Sequence, residues 1–363
     1  MARYLSNRDI DWPLMLITLL ICAIGVLQIF SSTRDSIWQD AWWKQIIYIF
    51  AGLFLMWLIL AIDYHTLLHH VALMYGISVV ALLGTYAIGT QVFGSRRWIP
   101  LAGGFHLQVS EFVKLVIILL VARYLTDLKT DQLEVREMLK LAGLVIVPTV
   151  LVLKQPDLGT SLTYLAILVV GAFLAGLRWK YVAVIAVVTV LVLPVTYHFL
   201  KPYQKARLVS FMDPDRDPQG TGYQLIQSQI AVGAGGMFGR GVTKGTQTQL
   251  RFLPVPQTDF IFSAFAEEHG FVGVVVVLSL YFVLIMRIVQ NAQTAADRSG
   301  MYICMGVAAL LLFHMLVNVG MVVGRMPVTG IPLPFMSAGG SSLWANFLAL
   351  GLVNNVRLRR FVN

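Results

Sequence analysis

Long apolar runs separated by short polar breaks dominate the chain. Runs long enough to cross a hydrocarbon core of roughly 30 Å fall at about 12–30, 43–62, 71–90, 109–125, 181–199, 260–286, 302–323 and 342–356. Two shorter runs, 141–153 and 161–176, flank the break Lys154-Gln155-Pro156-Asp157 and read as two helices meeting at a tight turn. The pattern predicts an all-α integral membrane protein, a polytopic bundle of about ten transmembrane helices with both ends of the chain on one side. One connection is long. Residues 200–258, between the seventh and eighth spans, are rich in Gly, Gln and Asp and carry an amphipathic stretch at Tyr223–Val232. That stretch either lies on the bilayer surface or roofs a cavity in the bundle. The glycine-dense run Gly233–Gly245 predicts a mobile loop.

Composition agrees with the pattern. Hydrophobic residues make up 58% of the 363 positions and charged residues 12%, against roughly 25% charged in a soluble domain. A soluble fold could not cover that much apolar surface. No composition shift divides the chain, so residues 1–363 read as one membrane domain. The first run carries no cleavage pattern after it and reads as a retained span. Cys22 and Cys304 fall inside apolar runs and read as small buried hydrophobes. The net charge of +9 could suggest nucleic acid, but its distribution says otherwise. Thirteen basic residues sit in short loops on one side (Arg3, Arg8, Arg123, Lys129, Arg136, Lys140, Arg178, Lys180, Arg287, Arg298, Arg357, Arg359 and Arg360). Six sit on the other (Arg34, Lys44, Arg96, Arg97, Lys154 and Arg325). This asymmetry predicts cytoplasmic termini and an outward long loop, and it removes nucleic acid as a partner.

Ionisable residues at the outer boundary are costly there and so carry the candidate chemistry. In the first of four segments, Arg96-Arg97-Trp98 is followed by Ser110-Glu111 and Lys114. Ser110 reads as a helix cap, and Glu111 and Lys114 share a helix face. They form either a local ion pair or, with Arg96 and Arg97, a cationic cradle for an anionic head group. Arg97-Trp98 also fits an ordinary interfacial anchor. In the second segment, Asp157 either caps the helix after the break or belongs to a site. The third runs from Gly330 and Pro332-Leu333-Pro334 to Gly339-Gly340-Ser341, where the prolines and glycines forbid helix. In the fourth, Thr258 is predicted to cap the eighth span with Asp259 in its first turn. Glu267 follows on roughly the same face, about 12 Å deeper at 1.5 Å per residue. The seven histidines are scattered, with no serine–histidine pair and carboxylate among the pocket candidates, and no phosphate-binding glycine loop exists. Carboxylates, cations and a bound metal remain as the means of chemistry.

Taken together, these motifs resemble the SEDS family (shape, elongation, division and sporulation proteins). The carriers are Arg97-Trp98 with Ser110-Glu111 and Lys114, Gln155-Pro156-Asp157-Leu158-Gly159-Thr160, Thr258-Asp259-Phe260-Ile261-Phe262, and Pro332-Leu333-Pro334 with Gly339-Gly340-Ser341. The short tails and the segment from Asp213-Pro214 to Gly222-Tyr223 resemble the elongation branch, RodA, more than the division branch, FtsW. The family usually has an aromatic residue at Ala338 and a histidine at Gln257, departures that touch pocket shape but no ionisable group.

The resemblance implies a peptidoglycan glycosyltransferase of the bacterial cytoplasmic membrane. Its substrate would be lipid II, a disaccharide-pentapeptide on an undecaprenyl diphosphate carrier. Asp259 would be the general base. Arg96, Arg97, Trp98, Glu111, Lys114, Asp157, Glu267 and Ser341 would contact substrate. A divalent cation, Mg or Mn, could assist, with Asp259 and Glu111 as candidate ligands. A class B penicillin-binding protein, a transpeptidase, would be the partner. The competing readings are a flippase for the same lipid and a scaffold for other wall enzymes. Both fit poorly with costly residues gathered on one side and inner halves of the spans that read as almost uniformly apolar.

Overall fold

The computed structural model of the chain describes residues 9–34, 36–92, 95–100, 106–128, 133–177, 180–181, 183, 202–217, 220 and 222–360. The first half contains α1 (Trp12–Thr33), α2 (Ala41–Ala61), the short α3 (Tyr64–His69), α4 (Val71–Ile88), α5 (Val109–Thr126), α6 (Val135–Lys154) and α7 (Leu158–Leu174). Between α4 and α5 the chain forms a small antiparallel sheet in the order β1 (Thr90–Val92), β2 (Ser95–Pro100), β3 (His106–Leu107). Thr90 pairs with Trp98 and Ile99 with Leu107, with an irregularity in β1 after Thr90. The helical pattern gave no sign of this sheet, which is too short to show an alternation.

The predicted seventh span, 181–199, lies outside the described residues. The long connection then supplies α8 (Pro202–Met212), a 3-10 turn at Pro214–Arg216, α9 (Tyr223–Ala234) and α10 (Thr246–Gln249). It is followed by α11 (Ile261–Gln293), α12 (Arg298–Val322) and α13 (Gly340–Leu358). The other nine predicted spans all correspond to helices. Five of them, α1, α2, α4, α11 and α12, are long and apolar enough to cross a membrane by length and composition alone. The molecule is a multi-pass helical membrane protein. The break at Gln155-Pro156 holds as predicted. α6 ends there, and Asp157 starts α7 by accepting from the Thr160 backbone N–H at 3.1 Å. α13 lies along α2, where Gly52 makes room for the Phe347 ring and Gly351 for Ile59.

Two expectations about the eighth span are corrected. The helix begins at Ile261, after a turn that runs on from Pro254-Val255-Pro256. Thr258 is therefore not its cap, and Asp259 stands before its first turn. The helix is also broken at Gly270, whose backbone (φ 65°, ψ −167°) is not helical. The stretch from Gly270 to Gln293, roughly 36 Å at about 1.5 Å per residue, is long enough to cross by itself. Glu267 is thus separated from that straight stretch rather than two turns inside it.

The break is filled by the glycine-dense run. Backbone N–H groups of Arg240 and Gly241 donate to the carbonyls of Glu267 (2.9 Å) and Glu268 (3.0 Å). The N–H groups of Phe271 and Val272 donate in return to Gly236 (2.8 Å) and Met237 (3.1 Å). Buried backbone groups need partners, and the loop supplies those the helix lost. Glycine is required because the two backbones nearly touch. A Cβ on Gly239 would lie 2.1 Å from the Glu268 carbonyl, and one on Gly270 would lie 2.3 Å from the Gly239 nitrogen. The run is therefore bound to the bundle rather than free to move. The amphipathic stretch settles the same way: in α9 the Ser228 hydroxyl meets Ser263 Oγ (2.8 Å) and the Val322 carbonyl (2.9 Å), so this helix packs on the bundle.

The end of the bundle opposite Asp259 is not uniformly apolar. Asp11, fully buried, accepts from Arg287 (2.7 Å), Arg357 (3.0 Å) and Asn291 (2.8 Å), tying the start of α1 to the ends of α11 and α13. The sequence hid this because each of these residues sits at the edge of a different apolar run. For Gly270→Ala, the left-handed backbone and the blocked Cβ are expected to cost about 1–3 kcal/mol. This is read as a lower thermal unfolding midpoint in detergent. Gly76→Ala in α4, where a Cβ meets nothing within 4 Å, is expected to leave the midpoint unchanged or raised.

Candidate active site

Polar side chains from five parts of the chain gather at the Asp259 end. β2 brings Arg97, which lies 3.4 Å from Asp157 at the start of α7. The segment between β3 and α5 brings Gln108, whose amide nitrogen donates to Asp157 (2.7 Å) and to Ser110 Oγ (3.1 Å). The N-terminus of α13 brings Ser341, which accepts from the Gln108 N–H and donates to the His106 carbonyl, 3.0 Å each. Ser341 thus pins β3 and the start of α5. Ser110 is one residue inside α5 and does not cap it. Asp157 both caps α7 and pairs with Arg97, so the two roles weighed for it coexist.

One turn into α5, Lys114 and Glu111 form the local ion pair, 2.7 Å apart, with side chains 0% and 4% exposed. A buried ammonium without a counter-charge would be prohibitively costly, so each residue explains the other. Lys114 also approaches His314 Nε2 at 3.5 Å, and Thr163 Oγ1 lies 3.2 Å from the same nitrogen. Four residues along α12, Asn318 donates to the backbone carbonyls of Asp259 (2.9 Å) and Ile331 (2.8 Å). One face of α12 therefore holds both the cation and the segment carrying Asp259. The predicted non-helical approach to the last span forms the wall beside it: a Cβ on Gly330 (φ 73°) would sit 3.3 Å from Asp259 Oδ2.

Asp259 is partly exposed at its surface, yet protein surrounds it. This desolvation raises its carboxyl above the ordinary carboxylate range. Arg97 and Arg207 oppose the shift and Asp157 adds to it. Arg207, on α8 in the long connection, donates to the Val328 carbonyl (3.1 Å) and brings a cation that the sequence reading did not include. Gln108, Thr163, His314 and Asn318 were also missed. His314 and Asn318, four apart inside an apolar run, were a readable signal for a costly polar face.

One expected contact falls elsewhere. Glu267 accepts from the backbone N–H groups of Gln247 (2.7 Å) and Thr248 (3.1 Å) and from the Thr248 hydroxyl (2.7 Å). It anchors the loop instead of facing the cluster, because the broken helix turns it toward α10. Trp98 is half-buried on β2, with its carbonyl accepting from Thr90 Oγ1 (3.2 Å). Arg96 takes part in β2 through its backbone, and its side chain lies outside the described residues. Of the two candidate metal ligands, Glu111 is not free for a cation. Glu111 is engaged by Lys114, and among the described residues no group of three His, Cys, Asp or Glu could hold a metal. The two departures from the family pattern meet each other, since the Ala338 N–H donates to the Gln257 carbonyl at 2.9 Å.

The model of the cell cycle protein family FtsW/RodA/SpoVE matches residues 12–360. The chain belongs to this family, the SEDS proteins. Membership makes it a multi-pass membrane protein and a glycosyltransferase. It is similar to the peptidoglycan glycosyltransferase MrdB of Escherichia coli (strain K12), with 36% identity over 97% of this chain and 94% of that protein. It is also similar to the peptidoglycan glycosyltransferase RodA of Treponema pallidum, with 33% identity over 97% and 98%. Among solved structures, a chain from work on the structural coordination of polymerization and crosslinking by a peptidoglycan synthase complex superposes with a TM-score of 0.83. It shares 33% identity, covering 98% of this chain and 99% of that one. The rod shape determining protein RodA of Thermus thermophilus superposes with a TM-score of 0.73 at 29% identity, covering 97% and 98%.

The buried pair in this SEDS protein gives a direct stability test. Glu111→Gln leaves the Lys114 charge without its partner and is expected to cost roughly 3–5 kcal/mol. The double variant Glu111→Leu with Lys114→Met should recover most of that. Equal thermal midpoints for Glu111→Gln and wild type would contradict a buried ionic pair.

Proposed function

We propose that the chain polymerises lipid II into glycan strands at the outer face of the bacterial cytoplasmic membrane, during wall elongation and with both termini cytoplasmic. The names of its relatives support the substrate class. The observation that carries the chemistry is the position of Asp259, a carboxyl whose pKa burial raises, held through its backbone by Asn318 and flanked by Arg97 and Arg207.

In this reading Asp259 accepts the proton of the acceptor sugar's 4-hydroxyl as that oxygen attacks the donor's anomeric carbon. The new glycosidic bond forms as the bond to the diphosphate breaks, with inversion, and the electron pair leaves on undecaprenyl diphosphate. Lys114, Arg97 and Arg207 receive that charge. Arg97 can do so by exchanging its 3.4 Å contact with Asp157 for a phosphate oxygen. Glu111 pairs with Lys114, and Ser341 and Gln108 hold β3 and α5 in place. No step is routed through a metal ion, since the carboxylates here already serve cations of the protein. The lipid tails would approach sideways between helices. A class B penicillin-binding protein is the proposed partner, in keeping with the synthase complex that contains a structural neighbour.

Transport of the same lipid is the less favoured reading. A flippase needs polar groups open to both faces, whereas Asp11, Arg287 and Arg357 at the opposite end are engaged with one another. Lipid II supplied in detergent separates the two, because no transport is possible there. Wild-type protein is expected to produce polymer on a gel, and Asp259→Asn at least a hundredfold less. Unchanged synthesis by Asp259→Asn would remove that residue from the mechanism.

The pH dependence has a defined sign. A general base must be deprotonated, and burial places the Asp259 carboxyl above its ordinary value of 3.8. The rate should therefore fall on acidification through a midpoint higher than 3.8. Arg207→Gln removes a cation that favours the carboxylate, so it should move that midpoint to still higher pH. A midpoint unmoved or lowered in this variant would count against Asp259 as the titrating base.

A further inference from the structure

The cation at the centre of the site is not held by Glu111 alone. Lys114 is 0% exposed, and His314 on α12 and Thr163 on α7 are 1% and 0% exposed, so all three heads sit where water cannot solvate them. An ammonium has three N–H donors. One goes to Glu111 at 2.7 Å and a second faces His314 Nε2 at 3.5 Å. That leaves one for a ligand oxygen. Rotation about the Cε–Nζ bond is the head's one freedom, and His314 adds to Glu111 a second restraint on it, so the ring helps fix where the third donor points.

The ring is well placed to do this. An ammonium can only donate, so the Nε2 lone pair faces Lys114 and the ring's hydrogen is on Nδ1. The Pro332 carbonyl lies beside the ring, outside strict hydrogen-bond geometry with Nδ1. Thr163 Oγ1 donates to the Gly159 carbonyl at 3.0 Å and lies 3.2 Å from Nε2, so the start of α7 packs against the ring from the side and limits where it can turn. Asn318, one turn along α12, fixes the backbone of Asp259.

We infer that His314 is a positioning residue for Lys114, aiming its free N–H at the leaving diphosphate, with Thr163 as its support. α12 is then the strut that sets the distance between base and cation. The inference rests on the reading of Lys114 as the leaving-group cation. Its effect belongs to the bond-breaking step, where the charge on the diphosphate develops, and not to substrate binding.

The test uses the purified full chain in detergent, with initial rates measured against lipid II concentration. His314→Ala is expected to lower kcat at least tenfold with KM within about twofold of wild type. His314→Gln, whose amide oxygen can accept from Lys114, should recover a third or more of the wild-type kcat. Normal kcat in His314→Ala overturns the inference, and so does a loss that His314→Gln does not repair. Should His314→Ala not fold, Thr163→Val decides: kcat lowered threefold or more at unchanged KM supports the inference, and unchanged kcat overturns it. Lys114→Met is run in parallel. If it polymerises normally, the reading of Lys114 fails and the inference falls with it. If it is inactive while His314→Ala is normal, only the inference falls.

Discussion

A charge buried in a helical bundle must have a partner, and this requirement organises the Asp259 end of the molecule. Lys114 is held by Glu111, and Arg97 by Asp157. Each pair costs desolvation that only a short contact can offset. The outcome is a cluster in which positive groups are preformed and rigid but electrically balanced. In the proposed reaction a diphosphate arriving there would meet donors that need little reorganisation, the condition under which electrostatic stabilisation of developing charge is most effective. The same rule operates at the far end of the bundle. There Asp11 is shared by Arg287 and Arg357, and three helix ends are tied where no chemistry is assigned.

Backbone groups obey the requirement too. Breaking α11 at Gly270 frees carbonyls and N–H groups that nothing within the helix can satisfy, and the loop at Gly236–Gly241 takes up four of them. Glu267 and Glu268, on either side of the register, add side-chain ties. The first reaches Gln247 and Thr248, and the second Ser31 and Gln28 on α1. The segment that carries Asp259 is thereby fixed at both ends, by the loop on one side and by Asn318 on the other. Position is what a general base needs before its pKa matters.

Much of this was legible in the sequence, and the failures have physical causes. Apolar run length is a property of one helix and its solvent, so nine spans are legible, with all but two of their ends within about four residues. The turn at Gln155-Pro156 and the non-helical stretch after Gly330 followed from proline and glycine geometry. What run length cannot reveal is which polar residues of different runs meet. His314, Asn318, Gln108 and Arg207 join Lys114, Asp259 and Asp157 only in three dimensions. The break at Gly270 does not show in the sequence, because a single glycine in a helical pattern carries no mark of left-handed backbone. The glycines of the loop were read as freedom when their use is close approach. Glu267 was recognised as expensive and in need of a partner, and the partner proved to be the loop.

In the proposed mechanism the place of the positive charge matters, and not merely the existence of a neutral pair. Exchanging the two residues, Glu111→Lys with Lys114→Glu, keeps a buried ion pair at three-residue spacing while moving the ammonium one turn toward the helix start. The exchanged protein is expected to fold, with a thermal midpoint well above that of Glu111→Gln, and to make no polymer from lipid II. Polymerisation at the wild-type rate by the exchanged pair would contradict that mechanism.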